Sequence, residues 1–237
     1  MRTPATRTAP DLALTVTIIL TFVTGIVDAV GFLALDRVFT GNMTGNIVIL
    51  GMGVAGADEL PVFGPAVALA AFTAAAWVAG LALRRPRAQN PPGWHHRVTV
   101  LLGLGAAALG VLALLAVAVG DHPPPPVAAA MAAATAATMG SQAVVARALA
   151  VTDMTTVVVT STLAGLAGET WTRKAGSPLL NRRLGAIVVI FAGALTGALL
   201  LRVHMAVPFA VAAALTAGVT WVGHRRLLPR VLQPVAA

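Results

Sequence analysis

Apolar residues in this chain fall in long blocks: Leu12–Leu35, Val62–Leu83, Val98–Gly120, Val127–Val151, Leu184–Leu201 and Met205–Val222. The first runs about 24 residues, which at 1.5 Å per residue of helix crosses ~30 Å of hydrocarbon. It is too long for the core of a signal peptide, and no small-residue cleavage pattern follows it, so it reads as the first span. Two shorter apolar stretches, 41–57 and 155–168, behave differently. The second covers about 14 residues, ~21 Å of helix, which is short of a crossing. Each short stretch is introduced by polar residues.

The separators between blocks carry prolines and charge. RRPRAQNPPGWHHR at Arg84–Arg97 reads as a loop, and Asp121-His122 followed by Pro123–Pro126 reads as a stiff turn that bisects the chain. Glu169–Arg183 is a basic loop, and Arg202-Val203-His204 is a tight connection. The ends, 1–11 and 225–237, read as disordered tails on a single membrane domain, 1–237.

Composition agrees with a polytopic membrane protein. Of 237 residues, 58% are hydrophobic and 10% charged, with mean hydropathy +0.87. Soluble domains carry about 25% charged residues. The formal charge of +8 could suggest nucleic acid, but basic cytoplasmic loops account for nearly all of it, so no nucleic-acid partner is expected. There is no cysteine, which excludes disulfides, thiolate metal sites and cysteine nucleophiles.

The arrangement of charge selects a topology. Eight crossings would place Arg84, Arg85, Arg87 and Arg97 opposite the basic N-terminus, against the positive-inside rule. Six crossings, with both short stretches dipping in and returning, put Arg2, Arg7, these four arginines, Arg173, Lys174, Arg182, Arg183, Arg225, Arg226 and Arg230 on the cytoplasmic side. The acidic Asp58–Pro61 and Asp121–Pro126 then lie outside. The expected fold is therefore an all-α bundle of six spans plus two short re-entrant or broken helices, with both termini in the cytoplasm. Its halves, 12–120 and 125–224, each read as span, short helix, span, span, and are inverted relative to each other. Thr40-x-x-x-Thr44-Gly45-Asn46 can be laid over Thr156-x-x-x-Thr160-Ser161-Thr162, with Gly25 near Gly140 upstream.

Candidate chemistry gathers at the short helices. Thr40, Gly41, Asn42, Thr44, Gly45 and Asn46 approach a helix start, where free N–H groups and small polar side chains can face one spot. Asp28 lies about 17 residues into the first span, and an intramembrane acid is a functional candidate by default. The structural alternative makes Asp28 a cap for the Thr/Asn turn, and gives that turn a role in capping and packing. Gln142, Thr156, Thr160, Ser161 and Thr162 are candidate counterparts in the second half; hydroxyls bonded to backbone carbonyls are the ordinary alternative. Arg147 reads as snorkelling to the inner interface, with a site role as the other possibility. Gly193 and Gly197 have the GxxxG spacing that packs helices, and a homo-oligomer interface is the alternative. The pair His95-His96 lacks partner ligands, so no metal is expected. No hydrolase elbow, zincin or phosphate-loop pattern occurs, and no cofactor or enzyme activity is expected.

Gly25-Ile-Val-Asp28-Ala29-Val-Gly31-Phe32-Leu33, followed by Thr40-Gly-Asn-Met-Thr44-Gly45-Asn46, resembles the YoaK family (DUF1275) of bacterial multi-pass membrane proteins. The resemblance covers nearly the whole chain. In the second motif this chain has Thr160-Ser161 where the family suggests Thr-Gly, and Ala143 where it suggests Asn after Gln142. The resemblance implies an inner-membrane location and supplies no established substrate. The expected function is that of a small-solute permease or channel with a site between Asp28, Thr44–Asn46, Gln142 and Thr160–Thr162. Half-helix N-termini would suit an anionic or polar solute. The alternative is a non-transporting module, an assembly partner or stress-response factor, whose polar motif locks helices together.

Overall fold

A computed structural model describes residues 9–57, 59–84, 93–149 and 178–228. Among these residues there are seven helices: α1 (Ala9–Ala34), α2 (Met43–Val54), α3 (Phe63–Leu83), α4 (His96–Val119), α5 (Pro125–Ala148), α6 (Pro178–Leu201) and α7 (Ala206–Arg226). All except α2 are long and apolar enough to cross a membrane. The second short stretch, 155–168, lies outside the described residues.

The helices overrun the predicted blocks where charge and proline allow. α1 begins at Ala9, inside the expected disordered tail, because Pro10 sits in a first turn whose N–H groups have no helical partner anyway. Asp11 in the same turn faces the positive end of the helix dipole. At the other end, α7 runs through His224, Arg225 and Arg226, cations that favour a helix C-terminus, so the expected tail from 225 begins as helix. α5 starts at the last two prolines of the Pro123–Pro126 run, whose fixed φ suits a first turn.

Two buried clusters fix the helix directions. One joins Leu35 and Val38 beyond α1, Leu112 and Ala116 late in α4, Ala128 and Met131 early in α5, and Met205 and Phe209 at the start of α7. The other joins Val16 and Leu20 early in α1, Trp94 and Val98 at the start of α4, Val145 and Leu149 at the end of α5, and Val219 late in α7. Hence α1 and α4 run one way, and α5 and α7 the other. The first cluster lies at the end of the bundle that carries Asp36 and Asp121; the second lies at the end with Arg97, Arg225 and Arg226.

α3 begins where α1 finishes. A Cβ at Gly64, in the first turn of α3, would stand 2.8 Å from Val38 and 3.9 Å from the Asp36 carboxylate. The chain between α1 and α3, α2 included, therefore leaves and regains the same end of the bundle. α3 finishes at the basic end, where Arg97 Nη1 donates to the Ala82 carbonyl at 2.6 Å.

α1 is the central helix: 72% of its most apolar window is buried, against 11% for α3 and α6. It packs mainly on α6 and also on α7, while α3 packs on α5 and α4 on α7. Gly193 lies against Phe22, and Gly197 against Ile26 and Ala29, so α6 runs parallel to α1 with backbones in contact. This is the packing that the GxxxG spacing predicts, and a Cβ at either position would strike α1 backbone. Gly140 makes the corresponding approach of α5 to the Phe72 carbonyl of α3.

Eight threonine hydroxyls within the spans are satisfied locally. Thr17, Thr21, Thr24, Thr135, Thr138, Thr196, Thr216 and Thr220 each donate a hydroxyl to the carbonyl four residues back. The outward faces of α3, α4 and α6 carry Trp77, Val78, Leu104, Leu114, Phe191 and Leu195, all exposed. An apolar exterior over an interior of satisfied hydroxyls suits a bilayer, where unpaired polar groups are costly.

Candidate solute site at the start of the short helix

The site begins with a reversal of the chain. After α1, Asp36 and Arg37 both adopt left-handed backbone, with φ of 64° and 55°. Asp tolerates that region, but Arg does so at a cost of roughly 1–2 kcal/mol. Two such residues in succession turn the chain back along α1, and the Val38 N–H donates to the Gly31 carbonyl at 3.1 Å. Gly31 permits this return, because a Cβ there would collide with the Val38 carbonyl.

The returning segment meets Asp28, which is buried with 7% exposure. Its Oδ1 accepts the backbone N–H of Thr40 at 2.8 Å, of Gly41 at 2.6 Å and of Asn42 at 3.4 Å, and also the Thr40 hydroxyl at 3.4 Å. Three successive N–H groups converging on one oxygen form an anion nest. Asn42 is the N-cap of α2, yet its own side chain makes no capping bond. Asp28 caps α2 instead, from 14 residues upstream. The N–H groups expected to face a solute are thus occupied by this chain's own carboxylate. No donor among the described residues reaches Oδ2.

Asn46 holds the other side of the turn. It is fully buried; its Oδ1 accepts the Phe39 N–H at 2.8 Å, and its Nδ2 donates to the Phe39 carbonyl at 2.6 Å. Both amide atoms are consumed, so Asn46 is a clamp and has nothing left for a ligand. Gly45 lets the Phe39 ring lie on α2, since a Cβ would come within 2.6 Å of the ring. Gly41 is similarly confined between the Thr24 methyl and the Asp28 carboxylate.

Beside this turn lies a cavity of about 770 Å3. Asp28, Thr24 and Thr44 line one part of it, Phe72 another, and Ala143 and Arg147 of α5 a third. Gln142 Nε2 donates to Leu20 O at 3.1 Å and to Thr24 Oγ1 at 3.2 Å, which sets the register of α5 on α1. Asp28 lies one helical turn beyond Thr24 toward the acidic end; Arg147 lies five residues beyond Gln142 toward the basic end. At 1.5 Å per residue they are about 13 Å apart along the bundle. The Arg147 guanidinium is exposed and makes no ion pair among the described residues. The cavity thus links a buried carboxylate with the basic end.

Of the residues singled out by sequence, Asp28, Thr40, Asn42, Thr44, Gly45 and Asn46 come together, but only Asp28, Asn42, Thr44 and Gly45 border the cavity. Gln142 is 6% exposed and bonds to α1; its buried Oε1 has no partner among the described residues. Thr156, Thr160, Ser161 and Thr162 lie outside the described residues. Sequence reasoning missed Phe32 and Phe39, whose rings stack with centroids 5.0 Å apart beside Asp28. Their seven-residue spacing carries no signal until the reversal at Asp36–Arg37 is known. It also understated Arg147, which borders the cavity. The His95-His96 pair sits at the basic end, and no group of metal-ligating side chains occurs among the described residues.

The chain matches the family described as "Protein of unknown function (DUF1275)" over residues 16–222. It is similar to the UPF0700 transmembrane protein YoaK of Bacillus subtilis, with 34% identity over 142 residues, 60% of this chain and 60% of that relative's length. No solved structure matches it. The family stretch takes in all six long apolar helices, together with Asp28 and the turn that surrounds it. On these grounds the chain belongs to the DUF1275 family and is a multi-pass membrane protein.

Proposed function

We propose that this protein is a small-solute permease or channel of the bacterial inner membrane, whose solute passes through the cavity beside Asp28. The supporting observation is the cavity of about 770 Å3 bordered by Asp28 near one end and, toward the other, by Arg147, which makes no ion pair among the described residues. A carboxylate and a guanidinium facing one space inside an otherwise apolar bundle would be costly without water or a polar solute between them. In this reading the basic end faces the cytoplasm, as the positive-inside rule requires, and both termini lie there. α2 is then a re-entrant helix that returns to the outer face. The halves 12–120 and 125–224 are read as an inverted pair: inversion exchanges α1 with α5 and α3 with α6, and the packing of α1 on α6 and of α3 on α5 supports this reading. The reading assigns no enzymatic step; among the described residues the cavity lining has a single carboxylate.

Single cysteines test this directly, because the chain has none of its own. Thr44→Cys and Ala143→Cys, in separate proteins, are exposed to a membrane-impermeant thiol reagent in intact cells and inverted vesicles. Both positions are expected to react in inverted vesicles. Failure of both to react from either side would remove the permease reading.

A second reading draws on the clamp. Asn46 and Thr40 spend their polar atoms inside the protein, as a locking motif would. A non-transporting membrane module, such as an assembly partner or stress-response factor, needs only that lock. It predicts a dry motif, with Thr44→Cys unreactive.

A further inference from the structure

We propose that Asp28 binds amphiphilic organic cations, molecules with one positive centre on an apolar body, which reach it from the bilayer between α1 and α6. This rests on the solute-site reading above and names the class of solute. A second cavity, of about 370 Å3, lies on the α6 side of Asp28. Among the described residues Asp28 is the single ionisable member of its lining; the others are apolar, with Phe32, Leu33, Phe39, Phe191 and Leu195 prominent. Leu33, Phe191 and Leu195 are 61%, 67% and 50% exposed on the apolar exterior, so this cavity opens where lipid would be. Asp28, Phe32 and Phe39 also border the larger cavity, and these three residues form the wall between the two.

The chemistry of that wall selects a cation. Among the described residues every hydrogen bond donated to Asp28 falls on Oδ1, which leaves Oδ2 to neutralise a positive centre. The stacked Phe32 and Phe39 rings add electron-rich faces beside the carboxylate, and such faces attract organic cations. An anion would meet Asp28 with the nearby N–H groups already occupied. A small hydrophilic cation would exchange its hydration shell for one oxygen and apolar walls. A cation with an alkyl or aryl body loses little hydration and fills the apolar volume. Arg147 does not border the second cavity.

The test uses the full chain in nanodiscs of zwitterionic lipid and tetraphenylphosphonium as the probe, with binding measured by equilibrium dialysis against empty nanodiscs. Saturable binding is expected, weakened tenfold or more by Asp28→Asn. Because that substitution also touches the cap of α2, Ala198→Phe provides an independent arm. Ala198 borders the second cavity and not the larger one, and the larger side chain should abolish binding while leaving the melting temperature unchanged. Binding no greater than to empty nanodiscs, or equal in wild type and both variants, overturns the proposal. If tetraphenylphosphonium fails to bind while Thr44→Cys still reacts with the thiol reagent, only the cation assignment falls. If Thr44→Cys and Ala143→Cys are both unreactive as well, the solute-site reading falls with it.

Discussion

Asn46 and Phe39 are joined by two hydrogen bonds, at 2.6 and 2.8 Å, which pair a side-chain amide with the backbone groups of one residue as a neighbouring strand would. The pairing fixes where the chain stops returning along α1 and begins α2. Asn46→Ala leaves a part-buried N–H and a part-buried carbonyl of Phe39 without their partner, at a cost of about 1–3 kcal/mol. Asn46→Asp keeps the acceptor but sets an oxygen against the Phe39 carbonyl, and should be no better. Thermal unfolding of the purified variants checks both, and a wild-type melting temperature for Asn46→Ala would show that the clamp carries no stability.

Asp28 separates structural from functional roles when two substitutions are compared. Asp28→Ala strips three N–H groups of their acceptor and should destabilise the protein by about 3 kcal/mol or more. Asp28→Asn keeps an oxygen at the Oδ1 position and should remain folded, with the charge gone. A folded Asp28→Asn that retains full solute movement would assign Asp28 to capping alone.

Gly41 sits where a Cβ would come within 2.5 Å of the Thr24 methyl and 3.5 Å of both Asp28 oxygens. Gly41→Ala should therefore push the turn from the carboxylate, with a loss of about 1–3 kcal/mol. Thr24→Ser removes the obstructing methyl, so the double variant should recover part of the loss. Strictly additive effects in the cycle would mean that the two residues do not meet.

Gln142 donates two hydrogen bonds to α1 while its Oε1 has none to accept. Gln142→Leu gives up the donors but also removes a buried unpaired acceptor, so the net change should be within about 1 kcal/mol. Solute movement is the informative readout. Loss of movement at wild-type stability would place the free Oε1 on the solute's path.

Much of the fold was legible because crossing a bilayer requires about twenty apolar residues, a condition that leaves long blocks in the sequence. Chain reversal was harder to see. A glycine or asparagine pair would have marked a left-handed turn, whereas Asp36 and Arg37 adopt it without any such sign. From that turn follow the capping of α2 by Asp28, the Phe32–Phe39 stack and the clamp at Asn46. The sequence showed polar atoms near a helix start but not how they would be spent. Trp94 is a parallel case at the basic end. Its indole donates to Thr99 and its ring lies on Gly223, so a residue predicted to be in a loop is a buried lock between α4 and α7.

The remote cap of α2 bears on how the chain is made. α1 carries its carboxylate into the bilayer long before α6 and α7, its main packing partners, leave the ribosome. A bare charge costs about 2.5–3.5 kcal/mol during insertion at a helix centre, an upper bound for Asp28, which lies six residues before the end of α1 at Ala34. The donors that answer it, at residues 40–42, follow Asp28 by only 12–14 positions. At roughly 5–20 residues per second they emerge within about 3 s. The first helical hairpin can therefore leave the translocon with its acid already solvated by its own backbone, and it needs no later helix to remain in lipid.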